Sequence, residues 1–366
     1  MRINCHCHIF SLDCVPEQFR QRFLLKPETA WQRLVHRIVR AIVPRQTLLG
    51  DWLGFIDLSI AKIAERLVAE MDAAGIDLCT PLMMDMAYCE GFGGATKSFE
   101  EQLAETEAAV AAVNAASGRT RMLPFVAADP RRPDVVHIVC DALEGGAFKG
   151  VKVYPVMGFE PTDRRLYPIY DYCVAHRVPV TAHCENGGIP GLAAYYHLAD
   201  PTGWAPVLAD FPSLILNLAH HDRTGSRWQG TIEGLILACE NVYTDLSFDT
   251  EMWWKPRRYF RNVQRVLSTP KLRDRVLYGT DWYMGRCFWT EASYIAWFTD
   301  YARRIPWCRV TFTDQELRLL TEGNPRRFLG LPSPDESPQQ DTPEHDQIGA
   351  LDGRRVRRRT GGRSSR

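Results

Sequence analysis

Short apolar runs alternate with stretches of helical periodicity along most of the chain, and from Ser59 onward the alternation is regular. Ile60, Ile63, Leu67, Val68 and Met71 recur at helical spacing and stop at Gly75, where a residue free to adopt a left-handed conformation ends a helix. Residues 79–84 then read as a strand, and 99–116, rich in alanine and glutamate, as a helix ending near Gly118. The same pattern predicts strands at 122–128, 150–154 (GVKVY), 179–184 (PVTAHC), 214–220 (LILNLAH), 242–248 (VYTDLSF) and 276–280 (VLYGT). Between and after them lie helical segments at 134–143, 166–176, 206–210, 232–239, 259–267, 292–303, 314–320 and 323–329. An apolar run at 3–10 supplies one more strand at the start, eight in all. Strands alternating with helices imply parallel βαβ units, and eight such units predict an α/β fold, a (β/α)8 TIM-like barrel. An open doubly wound sheet is disfavoured, because no glycine-rich phosphate loop follows the first strand.

Two segments break the pattern. Residues 11–60 repeat no simple unit: 20–43 reads as a basic helix, Pro44 interrupts it, and Trp52, Phe55 and Ile56 form an apolar cluster. This is the expected signature of a long insertion after the first strand, covering an active site. Beyond residue 330 the composition turns to proline, serine, glutamine and acidic residues, and then to arginines over 354–366. With almost nothing apolar to bury, 331–366 is expected to be a disordered tail beside a barrel domain of 1–330.

Composition narrows the function classes. Lysine plus arginine and aspartate plus glutamate both number 44 in the 366 residues, so no global field recruits nucleic acid or an anionic membrane. No apolar run approaches the ~20 residues of a membrane span, and no basic segment followed by an apolar one opens the chain as a secretory signal would. Eleven cysteines are scattered without a regular framework, which fits reduced thiols and a cytoplasmic enzyme better than a disulfide scaffold. The expected partner is a small-molecule substrate.

The chemistry lies where a barrel puts it, at the C-terminal ends of the strands. Side chains alternate faces along a strand, so His6 and His8 point the same way, with Asn4 beside them. Reading the later strand ends in order adds Lys152, His183, His220 or His221, and Asp281. Imidazoles suit zinc, and a carboxylate completes a water-activating centre. Each residue alone has a bland explanation: a snorkelling lysine, a satisfied core histidine, an aspartate capping the next helix. Together they would require coincidences at the same end of successive strands. A structural zinc site built from Cys5, His6, Cys7 and His8, the reading of a non-enzymatic metal-binding protein, fails because adjacent strand residues face opposite ways.

The segments INCHCHIF, TAHCENGG, NLAHHD and YGTDWYMG resemble the metal-site strand ends of the amidohydrolase superfamily, specifically its amidohydrolase-2 branch of hydrolases, lactonases and aminocarboxymuconate semialdehyde decarboxylase-like enzymes. EMDAAGID, KGVKVYP, VYTDLS and GNPRRFLG resemble the same branch, so the likeness spans about residues 1–330. It implies His6, His8, His183 and Asp281 as metal ligands and His220, rather than the outward-pointing His221, as a catalytic partner of Asp281. Lys152 matches the position that two-metal members use as a carboxylated bridging lysine, or it contacts substrate. Asn4 stands where the family often has aspartate. The implied activity is hydrolysis of a C–N or C–O bond in a cyclic amide or lactone by a metal-activated water. The alternative is non-hydrolytic decarboxylation of an aromatic or unsaturated acid, for which Arg45, Arg223 and Arg286 would be anion contacts and Trp52, Trp253, Trp254 and Trp282 pocket walls. Zinc is the expected ion, with manganese as the alternative, and a homodimer is the expected assembly.

Overall fold

A computed structural model describes residues 1–19, 54–55, 58–89, 92–188, 191–300 and 310–332. Arg45, Trp52, Ile56, the helix expected at 20–43 and nearly all of the expected tail lie outside the described residues.

Eight parallel strands follow one another in order: β1 (Ile3–Cys7), β2 (Leu78–Pro81), β3 (Phe125–Ala128), β4 (Gly150–Val153), β5 (Val180–His183), β6 (Leu216–Ala219), β7 (Val242–Asp245) and β8 (Val276–Leu277). β1 pairs with β2, and β3 to β8 pair as consecutive neighbours. Single bridges Cys79–Met122 and Leu82–Phe125 join β2 to β3, and Cys7–Trp282 joins the end of β1 to the chain beyond β8. Backbone hydrogen bonds from Cys5 N to Tyr278 O (2.8 Å) and from Asp281 N to His6 O (2.8 Å) complete that seam. The sheet therefore closes on itself as a barrel, which leaves no open edge.

The strands are shorter than the apolar runs that announce them, because all but one of the runs continue past the ladder into the loop that carries chemistry. The last is the extreme case: a run expected over 276–280 keeps only Val276 and Leu277 in the ladder. Helices α1 (Ile60–Ala74), α2 (Phe99–Ser117), α3 (Val135–Glu144), α4 (Tyr167–His176), α5 (Trp204–Asp210), α6 (Arg227–Ala238), α7 (Pro256–Ser268) and α8 (Glu291–Thr299) follow the successive strands. Local signals explain their ends. Ser98 and Glu101 form a reciprocal capping box at the start of α2, and Gly75 (φ 66°) and Gly118 (φ 62°) adopt the left-handed conformation that stops α1 and α2.

A last helix, α9 (Asn324–Leu329), packs at the N-terminal end of the barrel. Its Phe328 lies 6.2 Å from the Phe125 ring and 5.4 Å from Tyr243, in a cluster with Ile3, Leu78, Ile215 and Leu277. Gly150 makes room for this floor, since a Cβ there would fall 2.5 Å from the Phe125 ring. With an apolar plug at one end, the polar lumenal side chains are left to the other.

Candidate metal centre

β1 and the turn after β8 meet at that opposite end. His6 on β1 and His8 just beyond it are both buried. Asp281 follows β8 with φ 54°, a left-handed conformation that is uncommon for a residue with a side chain, and its N–H is tied to the His6 carbonyl. Gly279 permits the close approach, since a Cβ there would lie 2.8 Å from His6 Cβ. As a result, Asp281 Oδ1 sits 3.0 Å from His8 Nε2 and 3.6 Å from His6 Nε2.

The far nitrogen of each imidazole is already engaged. His8 Nδ1 lies 2.7 Å from the Leu82 carbonyl, which only accepts, so Nδ1 carries the proton. His6 Nδ1 lies 3.0 Å from Asp245 Oδ2, which fixes the same tautomer. Both Nε2 lone pairs are thereby left for a ligand beside Asp281, the arrangement metal-binding histidines adopt. Burial pulls the His6 imidazole down to about 4, against the upward pull of Asp245, so it is neutral near pH 7. Burial would raise the Asp281 carboxyl, but the nearby His8, His6 and His220 imidazoles hold it below its ordinary value. One oxygen of Asp281 and one nitrogen each of His6 and His8 lie within 4.8 Å of one another.

Asp245, at the C-terminal end of β7, organises what lies beneath. It accepts from Asn217 Nδ2 (2.8 Å) and from the His220 backbone N–H (3.1 Å), and it faces Ser247 Oγ at 2.5 Å. Ser247 Oγ is also 3.1 Å from His6 Nδ1 and 3.0 Å from His220 Nδ1. His220, His221 and Asp222 all have positive φ, between 50° and 75°, so the chain turns sharply here and the carboxylate secures the turn. Burial opposes ionisation of Asp245, but His6, His220 and Ser247 hold its carboxyl well below the usual range. The sequence reading passed over Asp245.

His183 stands differently from the expected four-ligand set. It clusters with Glu185 and His220, not with the His6, His8 and Asp281 trio. Its Nδ1 is 3.0 Å from His220 Nε2 and its Nε2 3.2 Å from the Gly187 carbonyl, so both ring nitrogens already have protein partners. His6 and His220 stand between the two groups, with ring centroids 4.7 Å apart. Glu185 also went unnoticed in sequence, since a carboxylate in a loop has no periodicity to mark it.

Lys152 is 2 % exposed, and its fields reach His6 and His183, so it faces the lumen. Tyr154, two residues on, sets its ring 5.5 Å from Lys152 Nζ and 4.5 Å from the His183 ring. His221 points away from the centre, as expected, with Nε2 3.2 Å from Glu233. Arg286 is nearly buried and paired with Glu70 of α1, so its carboxylate partner comes from the chain itself. Arg223 is exposed. Trp282 is buried with its ring against Phe55, which makes it packing, and Trp253 and Trp254 stand 51 % and 77 % exposed.

A closed (β/α)8 barrel with imidazoles and a carboxylate converging at its C-terminal mouth defines a metal-site barrel enzyme class. The amidohydrolase-2 family model, described as Amidohydrolase, matches residues 3–331, and the chain belongs to that family of metal-dependent enzymes. No curated protein matches the chain. Among solved structures it is similar to an uncharacterized TIM-barrel protein from Bordetella bronchiseptica (18 % identity, 90 % of this chain and 98 % of the other, TM-score 0.58). It is also similar to 4-oxalomesaconate hydratase LigJ from Rhodopseudomonas palustris (17 % identity, 90 % and 96 % covered, TM-score 0.52). A third is an amidohydrolase from Burkholderia multivorans with bound zinc (15 % identity, 73 % and 88 % covered, TM-score 0.52). These likenesses establish the shared barrel. Among the described residues, no helix is long and apolar enough to cross a membrane.

Proposed function

We propose that this protein is a metal-dependent hydrolase that cleaves a C–N or C–O bond of the cyclic amide or lactone type. The carrying observation is the convergence of His6 Nε2, His8 Nε2 and an Asp281 oxygen, with the opposite nitrogen of each ring already occupied. Two imidazoles whose Nδ1 atoms are already engaged, with an ionised carboxylate, make a donor set that fits a divalent ion and leaves room for further ligands. Zinc is the first choice, since the similar Burkholderia multivorans amidohydrolase has zinc bound, and manganese the second. His183 approaches from the neighbouring cluster and would join the set by giving up its contact with His220.

The bound ion supplies one thing: it lowers the pKa of water from 15.7 to about 7 and so makes a nucleophile available at neutral pH. The protein's own groups do the rest. Asp281, held ionised, accepts a proton as attack begins and returns it to the leaving nitrogen or oxygen. His220, fixed through its backbone by Asp245 and through its ring by Ser247 and His183, orients the reacting carbonyl. Burial of the cluster keeps bulk water away from these polar contacts.

The test is turnover by purified protein carrying zinc or manganese, assayed against lactones, cyclic amides and hydroxybenzoates in ¹⁸O-labelled water. Hydrolysis places one labelled oxygen in the product. Release of carbon dioxide without water incorporation would replace hydrolase with decarboxylase. Asp281→Ala should abolish turnover and lower metal content, and full turnover in that variant would remove the assigned ligand set.

A further inference from the structure

The His6–His8–Asp281 side of the lumen is densely partnered, and the β4 side is not. Among the described residues, neither the Lys152 ammonium nor the Tyr154 hydroxyl has a hydrogen bond or ion pair, although Lys152 is almost wholly buried. A lysine almost wholly buried with no protein partner for its ammonium is costly, so its retention inside the barrel points to a ligand that completes it. The carboxylates whose fields reach it are Asp245 and Asp281. Asp245 is taken up by His6, Asn217, Ser247 and the His220 N–H, and Asp281 by His8 and His6. Neither lies within ion-pair distance of the lysine.

Position on the strand supports the same reading. Lys152 and Tyr154 lie two positions apart along the chain, and both lie beside His183. Their polar ends thus border the centre from the strand opposite the β1–β8 seam.

We propose that Lys152 and Tyr154 form the substrate-anchoring pair of this enzyme, donating hydrogen bonds to a carboxylate oxygen carried by the substrate beside the bond that is cleaved. The substrate class is then a lactone or cyclic amide bearing a carboxylate, and the lysine acts as a free ammonium rather than as a bridge between two metal ions. This assignment rests on the centre described above and deepens it by naming the group the substrate must carry.

Benzoate and its neutral counterpart benzamide probe the pair. Binding of each to the full-length, metal-loaded protein is measured by calorimetry, with metal content determined on the same samples. Lys152→Met should weaken benzoate binding at least tenfold, leave benzamide binding within twofold and leave metal content unchanged. Lys152→Arg should retain most of the benzoate affinity, and Tyr154→Phe should lose a few-fold. If Lys152→Met folds poorly by circular dichroism, Lys152→Gln serves the same comparison. Equal benzoate affinity in wild type and the uncharged variant overturns the proposal, and so does loss of bound metal on removing the amine. Failure of the protein to hydrolyse any lactone, with benzoate discrimination intact, would sink the hydrolase reading alone.

Discussion

Asp245 is the residue on which the centre's geometry turns, because it touches no reacting position yet orients two histidines. Its carboxylate holds the His6 ring through Nδ1 and the His220 backbone through its N–H. Groups of this kind raise the basicity of a ligating imidazole and fix its tautomer, and their loss typically lowers metal affinity about 10–100-fold. Asp245→Asn keeps the shape and removes the charge. The expected outcome is a loss of zinc affinity within that range at unchanged circular dichroism, measured by competition with a chromophoric chelator. An affinity within threefold of wild type would show that His6 is oriented by something else. The residue scale is also where the sequence was least complete. His6, His8 and Asp281 were legible because strand alternation and a barrel's one-ended chemistry place them. Asp245 and Glu185 were not, since a single carboxylate in sequence does not reveal which imidazole it faces. Nor could sequence order show that His183 turns its Nδ1 toward His220.

At the scale of elements, β1, β8, α1 and α8 are joined behind the centre by a buried polar chain. Asn4 Nδ2 donates to Thr280 Oγ1 (2.8 Å) and to Glu291 (3.2 Å), Thr280 Oγ1 donates to Glu291 (2.5 Å), and the Glu291 N–H donates to Glu70 (3.1 Å). This accounts for asparagine at position 4: an aspartate would set a second carboxylate against Glu291, whereas the amide donates to it while its Oδ1 still accepts from the His6 N–H. Burial pushes the Glu291 carboxyl up to about 8, with Glu70 adding to the rise and the Thr280 and Asn4 hydrogen bonds opposing it. Folded protein therefore keeps a proton on Glu291 that the unfolded chain releases near its ordinary value. Between those two values the native state binds more protons, so this group's contribution to stability falls as pH rises, by about 1.4 kcal/mol per unit. Glu291→Gln removes that dependence. Urea unfolding at pH 5.5, 6.5 and 7.5 should show wild type losing ground to the variant at each step. Parallel curves would mean that Glu291 is ionised throughout.

At the scale of the whole molecule, the alternation of apolar runs and helical periods was enough to count eight strands and to predict a closed barrel. Every one of those runs overlaps an observed strand. Closure itself was not written in any one segment, because it depends on the first strand meeting the last across more than 270 residues of chain. The centre sits on that seam: His6 belongs to β1, His8 follows it directly, and Asp281 follows β8. An ion held by these three residues would therefore tie the two ends of the barrel together and bind the folded chain alone. Ligand binding of this kind stabilises by mass action, about 4 kcal/mol when the free ion is a thousandfold above its dissociation constant. Thermal unfolding should shift upward by several degrees when manganese is added to chelator-treated protein. Manganese is the better probe here, since eleven thiols in the unfolded chain would also take up zinc and mask the effect. His8→Ala and Asp281→Ala should lose most of the shift, whereas Arg223→Ala, an exposed side chain, should keep it. If the melting temperature of wild type does not respond to the ion, the seam is held by its backbone hydrogen bonds alone and the three side chains do not share a metal.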